Sequence, residues 1–384
     1  MTTGLKQESS KATAGQELLR IQIEREALLK ALTTTAGAIS SKATLPILTN
    51  ILIQAQAPDK VTFAGTDLEL GIKTFCDAQV FVEGSVTAPA RKLYEIVKEL
   101  PGGPIEVTVA KNNAVNIKTS AVFFKIMGLE AEDFPKLPEP TSDKAFDFEQ
   151  ETLKRCLTLT SFATSRDEAR YTLNGVLLIV RNKNARFIAT DGKRLASIEV
   201  NGVASGNIDL EIIIPSKTVA EIVKAASESS GKARILTAQN QILFQLGPTT
   251  IISRLIEGRF PNFEQVIPKD EKTTARLKRA DLLAALKRVS VLTSQENQAV
   301  KLDFMKDKIL ISSRSPNLGE AKEDLTAEVS GGDLTIGFNP DYIVEALKNL
   351  EDDEVVLSMT EPDKPGLIKA GDGYLYVVMP MQLN

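Results

Sequence analysis

Asp67 and Asp191 sit in matching strings, "GTDLEL" and "ATDGKRLA", 124 residues apart. Two carboxylates can hold a divalent metal or divide acid and base roles between them. Each of these, however, follows a threonine at a turn and occupies the equivalent position of a different repeat. The pair is therefore predicted to lie far apart, each aspartate capping its own turn. Composition closes most other routes to chemistry. There is no histidine, which removes Ser-His-Asp triads, Cys-His pairs, histidine-bound zinc and imidazole acid-base catalysis. Cys76 and Cys156 are the two cysteines; far apart in apolar surroundings and in no CxxC, they read as small buried hydrophobes. No phosphate-cradling glycine loop occurs. The expectation is a protein without catalytic residue, metal or cofactor.

Binding chemistry is what remains, and the last stretch, "GYLYVVMPMQLN", raises it. Tyr374, Tyr376 and Val378 alternate with Leu375, Val377 and Met379, which predicts a strand apolar on both faces until Pro380 removes a ladder donor. Met379, Met381 and Leu383 then need either a cover or a ligand.

The elements around these residues come in three copies. "EREALLKALTTTAGAIS" from Glu24, "EQETLKRCLTLTSFATS" from Glu149 and "KRADLLAALKRVSVLTS" from Lys278 share helical apolar spacing at offsets of 125 and 129. "APARKLYEIVKEL" from Ala88, "IPSKTVAEIVKAA" from Ile214 and "FNPDYIVEALKNL" from Phe338 align at 126 and 124, superposing Glu95, Glu221 and Glu345 and also Lys98, Lys224 and Lys348. Leu93, Ile96, Val97 and Leu100 give the first of these an apolar face suited to lie on a sheet, with charge opposite. Strand-like runs fill the intervals, and Phe134-Pro135 and Phe260-Pro261 close the first two units. The Met-Pro-Met end is expected to take that place in the third.

A period near 125 residues means whole domains repeated, as the length of 384 also favours. Polar, proline-bearing stretches at 136–145 and 267–276 mark the joints. The expected division is an N-terminal disordered extension at 1–19, then domains at 20–143, 144–269 and 270–384, each α+β. The extension has no apolar signal core, and no run approaches the ~20 apolar residues of a membrane span, so a cytoplasmic protein with no membrane partner is expected.

The strings "TLPILTNIL", "GTDLEL", "RYTLNGVLL", "ATDGKRLA", "GRFPNFEQVIP" and "VVMPMQL", in that order over residues 20–383, closely resemble the bacterial β sliding clamp family, the β subunit of DNA polymerase III. The resemblance implies a homodimeric ring of six similar domains, helices inside and sheets outside, that encircles double-stranded DNA without sequence specificity and catalyses nothing. Its implied partners are the replicative DNA polymerase, the clamp loader and other proteins carrying a clamp-binding motif. A net charge of −4 suits a sliding protein better than a strongly basic body would, because tight phosphate contacts impede sliding.

Carried over residue by residue, a peptide-binding cleft between the second and third domains would be lined by Leu173, Thr190, Gly192, Lys193, Arg194, Leu195, Pro261, Val266, Val377, Val378, Met379, Pro380, Met381 and Leu383. Lys193 stands where histidine is familiar in the family, and Gln382 where arginine is. DNA-facing candidates are Lys42, Arg91, Lys92, Lys98, Arg170, Tyr171, Lys217, Lys224 and Lys348, with Lys154, Arg155, Lys287 and Arg288 on the other helix set. Phe124 and Ile126 of one subunit against Val291 and Leu292 of the other are the dimer candidates, since the edge strand "AVFFKIMGL" is too apolar to leave bare. The competing readings are an enzyme built on Asp67 and Asp191, and a scaffold of three repeats that binds proteins but closes no ring.

Overall fold

The computed structural model describes residues 17–40, 44–138, 144–202, 208–293 and 298–383. Lys42 and residues 1–16 of the expected extension lie outside the described residues. By contact the chain parts into two compact units, residues 1–139 with 248–252, and residues 140–247 with 253–384.

Among the described residues six α-helices fall where the repeats placed them: α1 Arg25–Thr35, α2 Ala90–Glu99, α3 Gln150–Ser161, α4 Ser216–Glu228, α5 Arg279–Val289 and α6 Pro340–Asn349. One backbone bond recurs at the head of the first helix of each repeat. The N–H of Arg25 donates to Gly103 O at 3.0 Å, that of Gln150 to Gly231 O at 2.9 Å and that of Arg279 to Asp353 O at 2.9 Å, each satisfying an amide that helix geometry leaves orphaned.

In the first unit, a five-stranded sheet runs in the order Gln79–Val82, Glu17–Glu24, Pro104–Ala110, Ala114–Lys118, Phe123–Met127. Its second strand begins inside the segment expected to be disordered. From Leu18 to Glu24 exposed and buried residues alternate, with Leu19, Ile21 and Ile23 buried; that alternation, once paired with Pro104–Ala110, holds residues 17–19 in the sheet. Leu28 and Leu32 of α1 and Leu93 and Val97 of α2 fill one core with Ile51, Phe63 and Val107 from the strands.

The second unit holds two repeats because one sheet runs through both. Nine strands follow in the order Leu210–Pro215, Gly175–Arg181, Asn184–Thr190, Arg194–Val200, Tyr374–Val378, Gly366–Ala370, Glu354–Met359, Thr273–Lys278, Glu328–Gly331. The weld is the pairing of Arg194–Val200 with Tyr374–Val378, in register Arg194 to Val378, Leu195 to Val377 and Ala196 to Tyr376. Tyr374 and Tyr376 are buried on one face of that strand, and the Tyr376 hydroxyl donates to Tyr342 O of α6 at 2.8 Å. A four-stranded sheet, Gly319–Thr326, Lys308–Ser315, Val300–Met305, Leu334–Phe338, completes the third repeat. The polar stretch expected as a joint thus separates no compact bodies here; the ladder crosses it.

Each repeat closes with one isolated antiparallel bridge: Thr87 with Leu129, Ile213 with Ile256, Gly337 with Met381. Met381 therefore answers to Leu129 and Ile256. It does not take the place of Pro135 and Pro261, as the string alignment suggested.

Candidate functional site

The two threonine-aspartate turns are built alike. Asp191 Oδ1 accepts from the N–H of Lys193 at 2.9 Å and of Arg194 at 3.1 Å, while the Thr190 hydroxyl donates to Arg194 O at 2.5 Å and accepts from Gly192 N–H at 3.1 Å. Asp67 Oδ1 accepts from the N–H of Glu69 at 3.0 Å and of Leu70 at 2.7 Å, and Thr66 repeats the hydroxyl pair with Leu70 O and Leu68 N–H, both at 3.0 Å. In each turn one carboxylate oxygen caps the backbone of its own turn, as the sequence predicted. The turn needs a positive φ at its tip, which Gly192 supplies at 86°.

The second turn leads into a pocket of about 130 Å³. Leu173, Leu195 and Val377 form a buried floor, backed by Leu177, Ile188, Phe260 and Leu367. Thr190, Gly192, Lys193 and Arg194 line one wall, Pro261, Asn262, Phe263 and Val266 another, and Met379 joins Val266 at the mouth, where both are exposed. The Lys193 carbonyl accepts from Met379 N–H at 2.9 Å, which ties the tail to the turn. The sequence reading missed Asn262 and Phe263, although both lie in the "GRFPNFEQVIP" string; the short 3-10 turn Phe263–Val266 turns the phenylalanine inward, under the Arg186 guanidinium at 4.9 Å.

Four expected lining residues stand elsewhere. Val378 is fully buried and, one position on from Val377, faces the opposite side of the strand. Pro380 ends the strand, Met381 then bonds through its N–H to Gly337 O at 2.8 Å, and Leu383 lies so close over Gly337 that a side chain there would collide with it, at 2.7 Å from a Cβ. The tail past Met379 thus folds down on the strand Leu334–Phe338.

Arg194 contributes to the wall but its charge is turned away. It is buried, and its Nε donates to Asp191 Oδ2 at 3.0 Å, one terminal nitrogen to Glu345 Oε2 at 2.5 Å and the other to Phe162 O at 2.9 Å. The rings of Phe162 and Tyr342 lie 5.6 and 4.8 Å from the guanidinium carbon. Burial pulls the guanidinium's value down, but the hydrogen bond to Glu345 together with the electrostatic pull of Tyr376, Glu345 and Asp191 more than offsets it and holds the group above its usual range, fully charged.

The basic candidates occupy exposed helix faces. Arg91 and Lys92 share Glu95 at 3.0 and 2.8 Å, and Lys98 is exposed further along α2. Lys217 and Lys348 are exposed and Lys224 half-buried, 4.0 Å from Glu221. Lys154 is half-buried and Arg155 exposed on α3; on α5, Lys287 is exposed and Arg288 pairs with Glu323. Arg170 does not stand free of the pocket: its guanidinium donates to Asp191 O at 3.2 Å, with exposed Tyr171 beside Gly258. Of the dimer candidates, Phe124 and Val291 are exposed and Ile126 and Leu292 half-buried. Phe123–Met127 is a sheet edge. A wider depression of about 910 Å³ elsewhere on the second unit mixes Asp352, Asp353 and Glu354 with Arg276, Lys278 and Lys369, beside Ala280, Val356 and Ala370.

Three family models match in sequence: DNA polymerase III beta subunit, N-terminal domain, over residues 19–138; central domain, over 147–262; and C-terminal domain, over 264–382. The chain belongs to the DNA polymerase III beta subunit family. Within that family it is 32% identical over 366 residues to the beta sliding clamp of Chlamydia pneumoniae, covering 95% of this chain and 100% of that one. Among solved structures, a DnaN sliding clamp from Pseudomonas aeruginosa bound to griselimycin matches at 31% identity and TM-score 0.90, and the DNA polymerase sliding clamp from Bacillus subtilis at 30% and 0.90; each match covers 95% of this chain and 100% of the other. The DNA polymerase III beta subunit models meet near residue 263, beside Phe263 in the wall of the pocket. No helix among the described residues is long and apolar enough to cross a membrane.

Proposed function

We propose that two copies of this chain close into a ring around duplex DNA and act as a sliding clamp in the cytoplasm, catalysing nothing and tethering the replicative polymerase and other partners through the pocket at Leu173, Leu195 and Val377. The observation that carries the reading is the pocket itself: its floor is apolar and buried, its mouth holds two exposed apolar side chains, and one of these, Met379, is anchored there by its backbone bond to Lys193. Such a site suits a short extended peptide with apolar anchors. Methionine at the mouth adapts to differing ligands.

Two sheet edges support the dimer. Phe123–Met127 offers unpaired backbone with Phe123 and Met127 exposed and Lys125 between them. Gly319–Thr326, the edge of the four-stranded sheet, carries Glu320, Glu323 and Asp324. Complementary ladders favour pairing the first of one subunit with the second of the other, covering both. The exposed lysines and arginines of α2, α4 and α6, several half-neutralised by neighbouring glutamates, provide weak, shared phosphate attraction rather than a grip.

Solution mass with negative-stain electron microscopy tests the ring: a dimer enclosing a hole wide enough for duplex DNA is expected, and a monomer would refute closure. Deleting residues 379–384 tests the pocket. The truncated chain is expected to dimerise and to lose binding of clamp-motif peptides; unchanged affinity would remove the tail from the site.

A further inference from the structure

We propose that the first repeat carries a closed copy of the apolar pocket, plugged by the chain's own Leu137, and that its seat binds a leucine-bearing peptide once the plug is withdrawn. The two sites correspond residue by residue. Leu52 pairs with Ala64 and Thr87, as Leu177 pairs with Ile188 and Ile213. Thr66 pairs with Gly71 across the first threonine-aspartate turn, as Thr190 pairs with Leu195 across the second. Phe134 and Phe260 are both buried, and Leu137 follows the one at the interval at which Phe263 follows the other.

Two of these exchanges empty the first site. Gly71 stands where Leu195 forms the floor of the second, and Ala64 where Ile188 backs it. Leu137 fills the space so released. It packs with Ile47 and Ala131 against Leu52, Ala64 and Phe134, and its Cδ2 lies 2.6 Å from where a Cβ on Gly71 would stand. All of these residues belong to the first compact unit.

The plug is held by its side chain. Pro135 and Pro138 bracket it without amide hydrogens, and Leu137 makes no hydrogen bond to a described residue. It is thus an internal ligand, seated by apolar contact and free to leave without breaking a backbone bond. The rim suits an apolar visitor. Leu68, at the turn tip where Gly192 stands in the second repeat, is exposed and takes a φ of 79°, a left-handed conformation that is costly for leucine. A leucine tethered this near its seat has an effective concentration of about millimolar or above, so a free peptide competes poorly while the plug is present.

The test uses the full chain and a synthetic tetrapeptide, Pro-Lys-Leu-Pro, copied from residues 135–138, with a Pro-Lys-Ala-Pro twin. Saturation-transfer NMR on the free peptide reads weak binding. Transfer to the leucine methyls should be roughly fivefold stronger with Leu137→Ala than with the parent, whose seat is taken, and the alanine twin should show no such difference. Adding Gly71→Leu to Leu137→Ala should return the signal to the parent level, because the new side chain enters the same space. Binding at the second-repeat pocket contributes equally to every sample, so the comparison stands whether or not that pocket takes peptides. Equal transfer in parent and Leu137→Ala, or a gain that survives Gly71→Leu, overturns the proposal. A second measurement does not depend on emptying the seat. With Leu137→Cys, the thiol should react with a maleimide roughly tenfold faster once Gly71→Leu is added and evicts it; equal rates overturn the plug and the proposal with it.

Discussion

Replacing Arg194 with methionine should destabilise the second unit by about 3 kcal/mol. The side chain makes three charge-assisted hydrogen bonds, to Asp191, Glu345 and the Phe162 carbonyl, and lies against two aromatic rings. Removing one partner of a buried ion pair costs roughly 3–5 kcal/mol, mostly from the charge left behind. Here the orphans are unequal. The Asp191 side chain is 19% exposed but keeps its two turn amides, whereas that of Glu345, at 42%, can rehydrate. The loss should therefore fall at the low end of that range, and methionine retains part of the packing. Glu345→Gln alone, with Arg194 still held by Asp191, should cost about 1 kcal/mol. For a unit of this size a 3 kcal/mol loss lowers Tm by roughly 6–12 °C. Calorimetry on wild type, both single variants and the double variant would give the coupling directly. A loss below about 1 kcal/mol for Arg194→Met, or additive effects in the cycle, would mean the bonded cluster does not hold the second and third repeats together.

The remaining predictions concern other parts of the chain. Burial pushes the Cys156 thiol up to about 12 and the Cys76 thiol to about 11; iodoacetamide at mildly alkaline pH should modify neither quickly in the native protein and both after denaturation, and rapid native labelling of Cys156 would contradict its burial. Burial raises the Glu221 carboxyl above its usual range despite Lys224 and Lys217. Its charged form is thus disfavoured in the fold, a penalty complete above the folded value and absent below the unfolded one. Glu221→Gln should therefore stabilise the protein at neutral pH, with the gain fading as pH falls through the raised value toward the ordinary carboxylate range; a gain that is the same at acid and neutral pH would contradict the titration. Changing Val291 and Leu292 together to alanine should shift the solution mass toward monomer at low concentration, and a dimer as tight as the parent would move the interface elsewhere.

The threefold repeat was legible because its offsets vary by only a few residues, and the structure answers with the same helices, the same head-of-helix bond and, in two repeats, the same threonine-aspartate turn. The floor of the pocket, Leu173, Leu195 and Val377, was legible only through the family resemblance; in the structure Leu195 and Val377 pair in register, and Leu173 joins them from a 3-10 turn. What the strings concealed is sidedness and long-range partnership. Val378 shares a motif with Val377 but, at a period of two, its side chain belongs to the other face. Glu345 aligns with Glu95, which pairs on its own helix, yet it meets Arg194, 151 residues away in sequence. Met381 was expected to line the pocket; its backbone bridges to Gly337 and its half-buried side chain is not among the residues around the pocket. Leu19 was lost to a polar-looking leader because only pairing with Pro104–Ala110 makes its alternation matter.

The strand Tyr374–Val378 both welds two repeats and lends Val377 to the pocket floor. An inhibitor seated deep against Val377 and Leu195 would therefore rest on residues whose replacement damages the fold, leaving resistance few viable routes. An inhibitor that relied on Lys193, Met379 or Val266 would meet exposed side chains whose exchange leaves the ladder intact. The depth at which a compound binds would set how readily this protein escapes it.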